Sequence, residues 1–90
     1  MNHRPPPIRP SENGTLTVRV NAGTDPEVLL SSLLSQHLSA MRLFNTSTAK
    51  QGAALEATYK VRLRYPEKAF ALVSELSKVE GVQGVELKQS

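Results

Sequence analysis

The sequence predicts an α+β sandwich, in which four strands form one antiparallel sheet and two helices cover a single face of it. The strongest observation is the segment Leu55–Tyr65, in which apolar and polar residues alternate without a break. Two further segments repeat apolar residues at three- and four-residue spacing, as amphipathic helices do. The elements follow one another as strand, helix, strand, strand, helix, strand, and a two-layer arrangement satisfies this order.

The segment Leu55–Tyr65 predicts the third strand and its two faces. Successive side chains of a strand point to opposite sides of the sheet, so odd-numbered positions share one surface and even-numbered positions share the other. The apolar surface, expected against the helices, carries Leu55, Ala57, Tyr59, Val61, Leu63 and Tyr65. The polar surface, expected to meet water or a partner, carries Glu56, Thr58, Lys60, Arg62 and Arg64.

The other three strands are shorter or less regular. The first, Thr15–Val20, has its apolar residues on one side, and the last is a short strand over Val82–Lys88. A weaker second strand over Met41–Thr48 turns polar halfway along. Because the first and third strands are the most regular, we expect them at the centre of the sheet, with the second and fourth at its edges.

A helix over Pro26–Ser39 is predicted after the first strand. Thr24 and Glu27 have the spacing of a capping box, and a proline suits the first helical turn. The leucines of its apolar stripe are Leu29, Leu30, Leu33, Leu34 and Leu38.

A second helix is predicted to begin at Pro66, which also ends the third strand. Gly81 stands where a left-handed residue is expected after the helix. The apolar face of this second helix carries Ala69, Leu72, Val73, Leu76 and Val79. Both strand-helix-strand units cross over with the same hand, so both helices lie on one side of the sheet. The predicted fold is therefore the ferredoxin-like βαββαβ sandwich.

Composition limits the classes of function. The 90 residues form one domain, and no apolar run approaches the length of about 20 residues that crosses a bilayer. Without cysteine, the chain has no disulfide, no cysteine metal site and no thiol nucleophile. The formal net charge is +3, but from Ser11 onward the cations and carboxylates nearly balance. This balance argues against nucleic acid or an anionic membrane as the main partner.

Residues 1–14 are predicted to be a disordered Pro-rich linker, and residues 15–88 the folded domain. The linker lacks the apolar core segment of a signal peptide. Pro7 and Pro10 have the PxxP spacing of SH3 and WW ligands, but such matches are common in Pro-rich segments. A linker is the preferred interpretation.

Four cations on the polar surface of the sheet form one candidate site. They could be solvated, face the acidic groups of a partner, hold a small anion or bind RNA. Sheets of this fold that bind RNA stack bases on aromatic residues of the central strands. Because Tyr59 and Tyr65 are predicted to point to the core, nucleic acid is not the expected partner. The four cations are Arg19, Lys60, Arg62 and Arg64.

The turn between the first strand and the first helix is a second candidate site. Backbone N–H groups at the start of a helix can hold an anion or a carboxylate, and a glycine permits close approach to the backbone. A plain capped turn is the preferred alternative. The turn residues are Asn21, Gly23, Thr24 and Asp25.

The sequence contains no set of residues that suggests catalysis. His3 and His37 are far apart in the chain, and the carboxylates are scattered. They provide neither a cluster of metal ligands nor an acid-base pair. We therefore expect a protein that is not an enzyme and that needs no metal or cofactor.

Several segments resemble those of ACT-like regulatory domains. They are Leu16–Val20, Gly23, Tyr59–Leu63 and the closing segment Leu76–Leu87, in which a leucine-bearing helix ends in Val-Glu-Gly-Val. A Pro- and Arg-rich lead-in before a single domain of this kind is similar to the cytoplasmic C-terminal domain of bacterial inner-membrane proteins of the MgtC/SapB family.

The resemblance implies a regulatory tail on the cytoplasmic side of the bacterial inner membrane, preceded by a membrane domain. It further implies a link to low-magnesium adaptation and virulence, without direct magnesium binding. We expect the domain to associate with itself or with a partner protein through its edge strands. Membrane contact is expected only through a preceding segment. The alternatives are a sensor of an amino acid or anion at the turn and, less favoured, an RNA-binding sheet.

Overall fold

The structure, a computed structural model, describes residues 12–89. Its strands are β1 (Gly14–Asn21), β2 (Leu38–Ala49), β3 (Ala54–Leu63) and β4 (Val82–Gln89). Its helices are α1 (Pro26–Leu29), α2 (Ser31–His37) and α3 (Ala69–Ser77). Short 3₁₀ helices occupy Lys50–Gly52 and Pro66–Lys68.

The four strands form one antiparallel sheet in the order β2-β3-β1-β4. At the middle of the sheet, Leu16 of β1 lies between Tyr59 of β3 and Leu87 of β4. The central position predicted for the first and third strands is confirmed, and so is the ferredoxin-like α+β class. β2 and β4 each pair with a single strand, so each leaves one row of backbone groups unpaired within the described sheet.

One hydrophobic core lies between the helices and one face of the sheet. The alternation of β3 sets the sheet side of this core, and the leucines of α2 and α3 fill the other side. Burying one large apolar side chain contributes about 1.5–3 kcal/mol. The largest fully buried side chains are Tyr59, Leu16, Leu30, Leu72, Leu76, Val18, Val20 and Val61.

The prediction that Tyr65 shares the apolar surface of the third strand is wrong. β3 ends at Leu63, and Tyr65 is about half exposed, at 47%. Pro66 starts a 3₁₀ helix, in which the N–H of Lys68 donates to the carbonyl of Tyr65 at 2.8 Å. The chain therefore turns away from the sheet before the alternation can continue.

The prediction of one continuous helix over Pro26–Ser39 is also wrong. The helix breaks at Leu30, whose φ of −108° and ψ of 11° are not helical. Two serines, which are weaker helix formers than leucine, follow this break. The N-terminal cap is Asp25 rather than Thr24, because the Asp25 carboxylate accepts from the N–H of Glu27 at 2.9 Å.

The second strand is longer than predicted. It runs from Leu38 to Ala49 and takes in residues that the leucine stripe had assigned to the first helix. Its pairing with β3 is interrupted between Leu38 and Ala40 and again between Leu43 and Asn45. The second interruption is a β-bulge, which redirects the side chains that follow it.

The second helix differs from its prediction only at the ends. Pro66 opens a 3₁₀ turn, and α3 itself begins at Ala69. Gly81 has a φ of +98°, which confirms the predicted left-handed residue after the helix.

The last part of the predicted linker contacts the sheet. The Glu12 carboxylate forms two hydrogen bonds of 3.0 Å with the guanidinium of Arg42. The Asn13 side chain accepts from the N–H of Leu63 at 2.8 Å, and Gly14 is already part of β1. Glu12 and Asn13, two residues of the predicted linker, therefore contact the sheet. The PxxP match and the rest of the linker lie outside the described residues.

Candidate interaction site

β2 is the least covered element of the described sheet. Every residue from Ser39 to Thr48 is exposed, although a sheet strand normally has one covered face. Its large apolar residues include Leu43, which is 50% exposed, and Phe44, which is 58% exposed. The register places Met41 and Leu43 on the helix side of the sheet, opposite Val61 and Tyr59. β2 therefore combines an unpaired edge with uncovered apolar side chains.

The charges on the two edge strands differ. β4 carries Glu86 and Lys88, and charges of this kind discourage pairing with another strand. β2 carries only Arg42, whose guanidinium is paired with Glu12. Hydrogen bonding to this carboxylate raises the pKa of Arg42 above its ordinary value. From Leu43 onward β2 has no charge and no proline to protect its edge.

A groove runs between α1 and β2. Its volume is about 380 Å³, and it is open to solvent. Leu43 and Thr46 of β2 form one wall, and the turn before α1 forms the other. A second hollow of about 310 Å³ continues it along α2 towards Met41, and Glu27 lines both. The uncovered strand is therefore bordered by space large enough for a small molecule or a partner side chain.

Tyr59 forms the floor of this groove. Its side chain is buried, and its hydroxyl donates to the Glu27 carboxylate at 3.4 Å. Burial, reinforced by the negative charges of Glu27 and Asp25, raises the pKa of Tyr59 to about 12. Two carboxylates beside a neutral phenol give this end of the groove a negative potential.

The structure brings three of the four predicted turn residues to the groove. Gly23, Thr24 and Asp25 line it, whereas Asn21 does not. The Asn21 side chain accepts from the Gln83 amide at 2.7 Å instead. Tyr59 and Leu43 were not predicted as site residues, because only the folded register brings β2 and β3 beside the turn.

The predicted basic surface is interrupted by carboxylates and by the end of the strand. Arg19 pairs with Glu56 at 2.8 Å, although its Nε has no hydrogen-bond partner. Lys60 contacts the hydroxyl of Thr15 at 3.4 Å. Arg64 lies beyond the end of β3 and donates to the carbonyl of Ser35 at 3.3 Å.

The fourth cation of the predicted surface, Arg62, lies on β3 opposite Ala40. The open face carries one aromatic residue that was not predicted there, Phe44, with the ammonium of Lys60 4.6 Å from the centroid of its ring. The four cations do not form one continuous surface. Among residues 12–89, no group of three or more His, Cys, Asp or Glu side chains is placed to hold a metal ion. No helix of this part of the chain is long and apolar enough to cross a membrane.

Solved structures similar to this chain have the same fold. One is the ACT domain from GTP pyrophosphokinase of Chlorobium tepidum, with a TM-score of 0.53, 13% identity, and coverage of 83% of this chain and 95% of that chain. Another is the C-terminal domain of the MgtC protein from Mycobacterium tuberculosis, with a TM-score of 0.55, 22% identity, and coverage of 92% and 94%. No family model and no curated protein matches the chain. The chain therefore has the ACT-like form of the ferredoxin-like fold.

The substitution Tyr59→Phe is expected to change the response of stability to alkaline pH. The pKa of Tyr59 is about 12 in the folded chain, whereas an unfolded tyrosine ionises near about pH 10. The unfolded state therefore loses its proton first, so stability falls as pH rises through this interval. Tyr59 should contribute roughly 1–2 kcal/mol to that fall, and the variant should lack this contribution.

Urea unfolding followed by circular dichroism measures the free energy of unfolding of both chains, near neutral pH and again at about pH 11.5. Near neutral pH the variant should lose only about 0.5–1.5 kcal/mol, the value of one hydrogen bond. Equal alkaline losses in the parent chain and the variant would contradict the assigned environment of Tyr59.

Proposed function

We propose that this chain is a non-catalytic regulatory domain that acts by association through the edge of β2. The observation that carries the proposal is the exposure of every residue from Ser39 to Thr48. Such an edge offers unpaired backbone groups to another strand, and the apolar residues beside it gain by being covered. Association of this kind requires no catalysed reaction within the domain.

A second copy of this chain is the partner that the charges of β2 favour. In an antiparallel pair related by a twofold axis, each residue meets the same surface of its partner, so a strand with unbalanced charge repels itself. β2 avoids this repulsion because Arg42 is neutralised by Glu12 and the rest of the strand is uncharged. Pairing would extend the sheet and bring Leu43 of each copy towards the groove of the other.

In its cellular setting, the domain is proposed to be the cytosolic C-terminal tail of a bacterial inner-membrane protein of the MgtC type. The similarity in fold to the C-terminal domain of MgtC supports this assignment. A role in low-magnesium adaptation and virulence belongs to the same proposal. Regulation would then pass through association of the tail rather than through magnesium bound to it.

The substitution Leu43→Lys should prevent self-association. It places a charge on the helix-side surface beside the edge, where the twofold axis would bring it close to its own copy. Size-exclusion chromatography with light scattering should give a dimer mass for the parent chain at high micromolar concentration and a monomer mass for the variant.

The matched control is Phe70→Lys, which introduces the same charge at an exposed apolar residue of α3, away from β2. This variant should remain dimeric. A monomeric parent chain would refute self-association, and dissociation by the control but not by Leu43→Lys would refute the use of β2.

Sensing of a small ligand is a second candidate, favoured by the groove above Tyr59. The carboxylates of Asp25 and Glu27 favour a ligand with an ammonium group over a simple anion. Asp25 already caps α1, so the N–H of Glu27 is not available to an anion. An amino acid, whose ammonium could meet Glu27, fits this groove better than phosphate or sulfate.

An NMR titration should separate the two candidates. If the groove senses amino acids, a panel of them should shift the amide signals of Gly23 and Thr24 saturably, and Glu27→Gln should weaken that response. Phosphate should give no saturable shift. Magnesium chloride at millimolar concentration should also give none, and a saturable local shift with magnesium would contradict the proposed role without direct magnesium binding. Absence of any amino-acid response would remove this candidate and leave association untouched.

A further inference from the structure

The end of the domain at which β1 begins carries exposed aromatic residues. Phe70, near the start of α3, has the most exposed side chain among the large apolar residues described, at 84%. Tyr65 lies at the same end, just after β3, with the Lys68 ammonium 5.2 Å from the centroid of its ring. The continuous exposed segment is Arg64–Lys68, so Tyr65 stands in an exposed stretch of chain.

The two ends of the sheet differ in charge. At the end where β1 begins, the cations are Arg42, Lys60, Arg62, Arg64, Lys68 and Lys88, and the carboxylates are Glu12 and Glu67. At the opposite end, the cations are Lys50 and Lys78, and the carboxylates are Asp25, Glu27 and Glu80. Although the charges nearly balance over the whole domain, one end is therefore positive and the other negative. The electrostatic field of a charged end can direct the binding of an oppositely charged partner.

The preceding chain enters at the positive end. Residue 11 connects to Glu12, whose carboxylate pairs with Arg42 beside the start of β1. The eleven residues before Glu12 include Arg4 and Arg9 and no acidic residue. Their cations are therefore tethered to the end of the domain that is already positive.

From these observations we propose that this end of the domain docks on an anionic lipid bilayer. Aromatic side chains settle at the boundary between headgroups and acyl chains, and nearby Lys and Arg side chains are drawn to anionic headgroups. Phe70 would enter the boundary, and Lys68 and Arg64 would lie among the headgroups. The proposal goes beyond the proposed function, in which membrane contact comes only from a preceding segment.

A single tryptophan tests insertion directly, because the chain contains no tryptophan. Phe70→Trp replaces an exposed aromatic residue, and Val28→Trp replaces an apolar residue of α1 that is 72% exposed at the negative end. The full chain is mixed with vesicles of phosphatidylcholine alone or with added phosphatidylglycerol. Tryptophan emission of the Phe70→Trp chain should shift to the blue only with the anionic vesicles, and that of the Val28→Trp chain should not shift.

Charge reversal tests the role of the positive end. Vesicle co-sedimentation should show that Lys68→Glu lowers the partition coefficient on anionic vesicles by about tenfold or more, because each basic residue near the surface contributes strongly to binding. Lys78→Glu, the same change at the opposite end, should lower it less. Binding should also weaken steeply as salt rises from about 0.1 M to about 1 M.

The outcomes also separate this proposal from the proposed function. Leu43→Lys should still bind anionic vesicles in preference to neutral ones, and any loss of its partition coefficient should be confined to concentrations at which the parent chain is a dimer. Equal blue shifts at positions 28 and 70, equal effects of the two charge reversals, or equal binding to neutral and anionic vesicles would each overturn the proposal. Binding to single-stranded RNA with no binding to anionic vesicles would overturn it in favour of a nucleic-acid partner.

Discussion

The length of the first helical connection is the constraint on which the exposed surface of this domain depends. α1 and α2 contain four and seven residues, so the longer spans about 10 Å at 1.5 Å per residue. β2 contains twelve residues and spans about 40 Å. A helix of that length is too short to cover the strand. The chain also passes from α2 directly into β2, so no connecting loop adds cover. The groove and the exposed leucine follow from this mismatch, whereas the open edge follows from the place of β2 in the sheet order.

The regular parts of the fold could be predicted because one periodicity dominates them. In β3 the alternation sets the inward position of Tyr59 and Val61, and it fails only where Pro66 turns the chain. In the first helix two signals conflicted. The leucine spacing continued through Leu30 to Leu38, but the backbone breaks at the first and enters a strand at the second. Burial of a leucine does not require a helix, so the stripe predicted which residues are buried and not the backbone that buries them.

The candidate site was only partly predictable, for a physical reason. The turn residues are contiguous in the chain and carry the local signal of a helix cap, so a sequence can indicate them. The opposite wall, formed by Leu43 and Thr46, depends on a β-bulge in a weakly patterned strand. The register of such a strand is set by its pairing with β3, which local sequence specifies poorly. Phe44 lies on the open face, as alternation from Leu43 requires, and the bulge puts Asn45, opposite Thr58, on that face as well.

Amide hydrogen exchange along β2 tests the central claim that this strand is an uncovered edge used for association. In a dilute sample, the β2 amides that do not bond to β3 should exchange far faster than the amides of β1. At high micromolar concentration those same amides should become protected, while exchange along β4 stays unchanged. Protection of the β2 edge that is already complete at dilution, or that appears on β4 instead, would contradict the account.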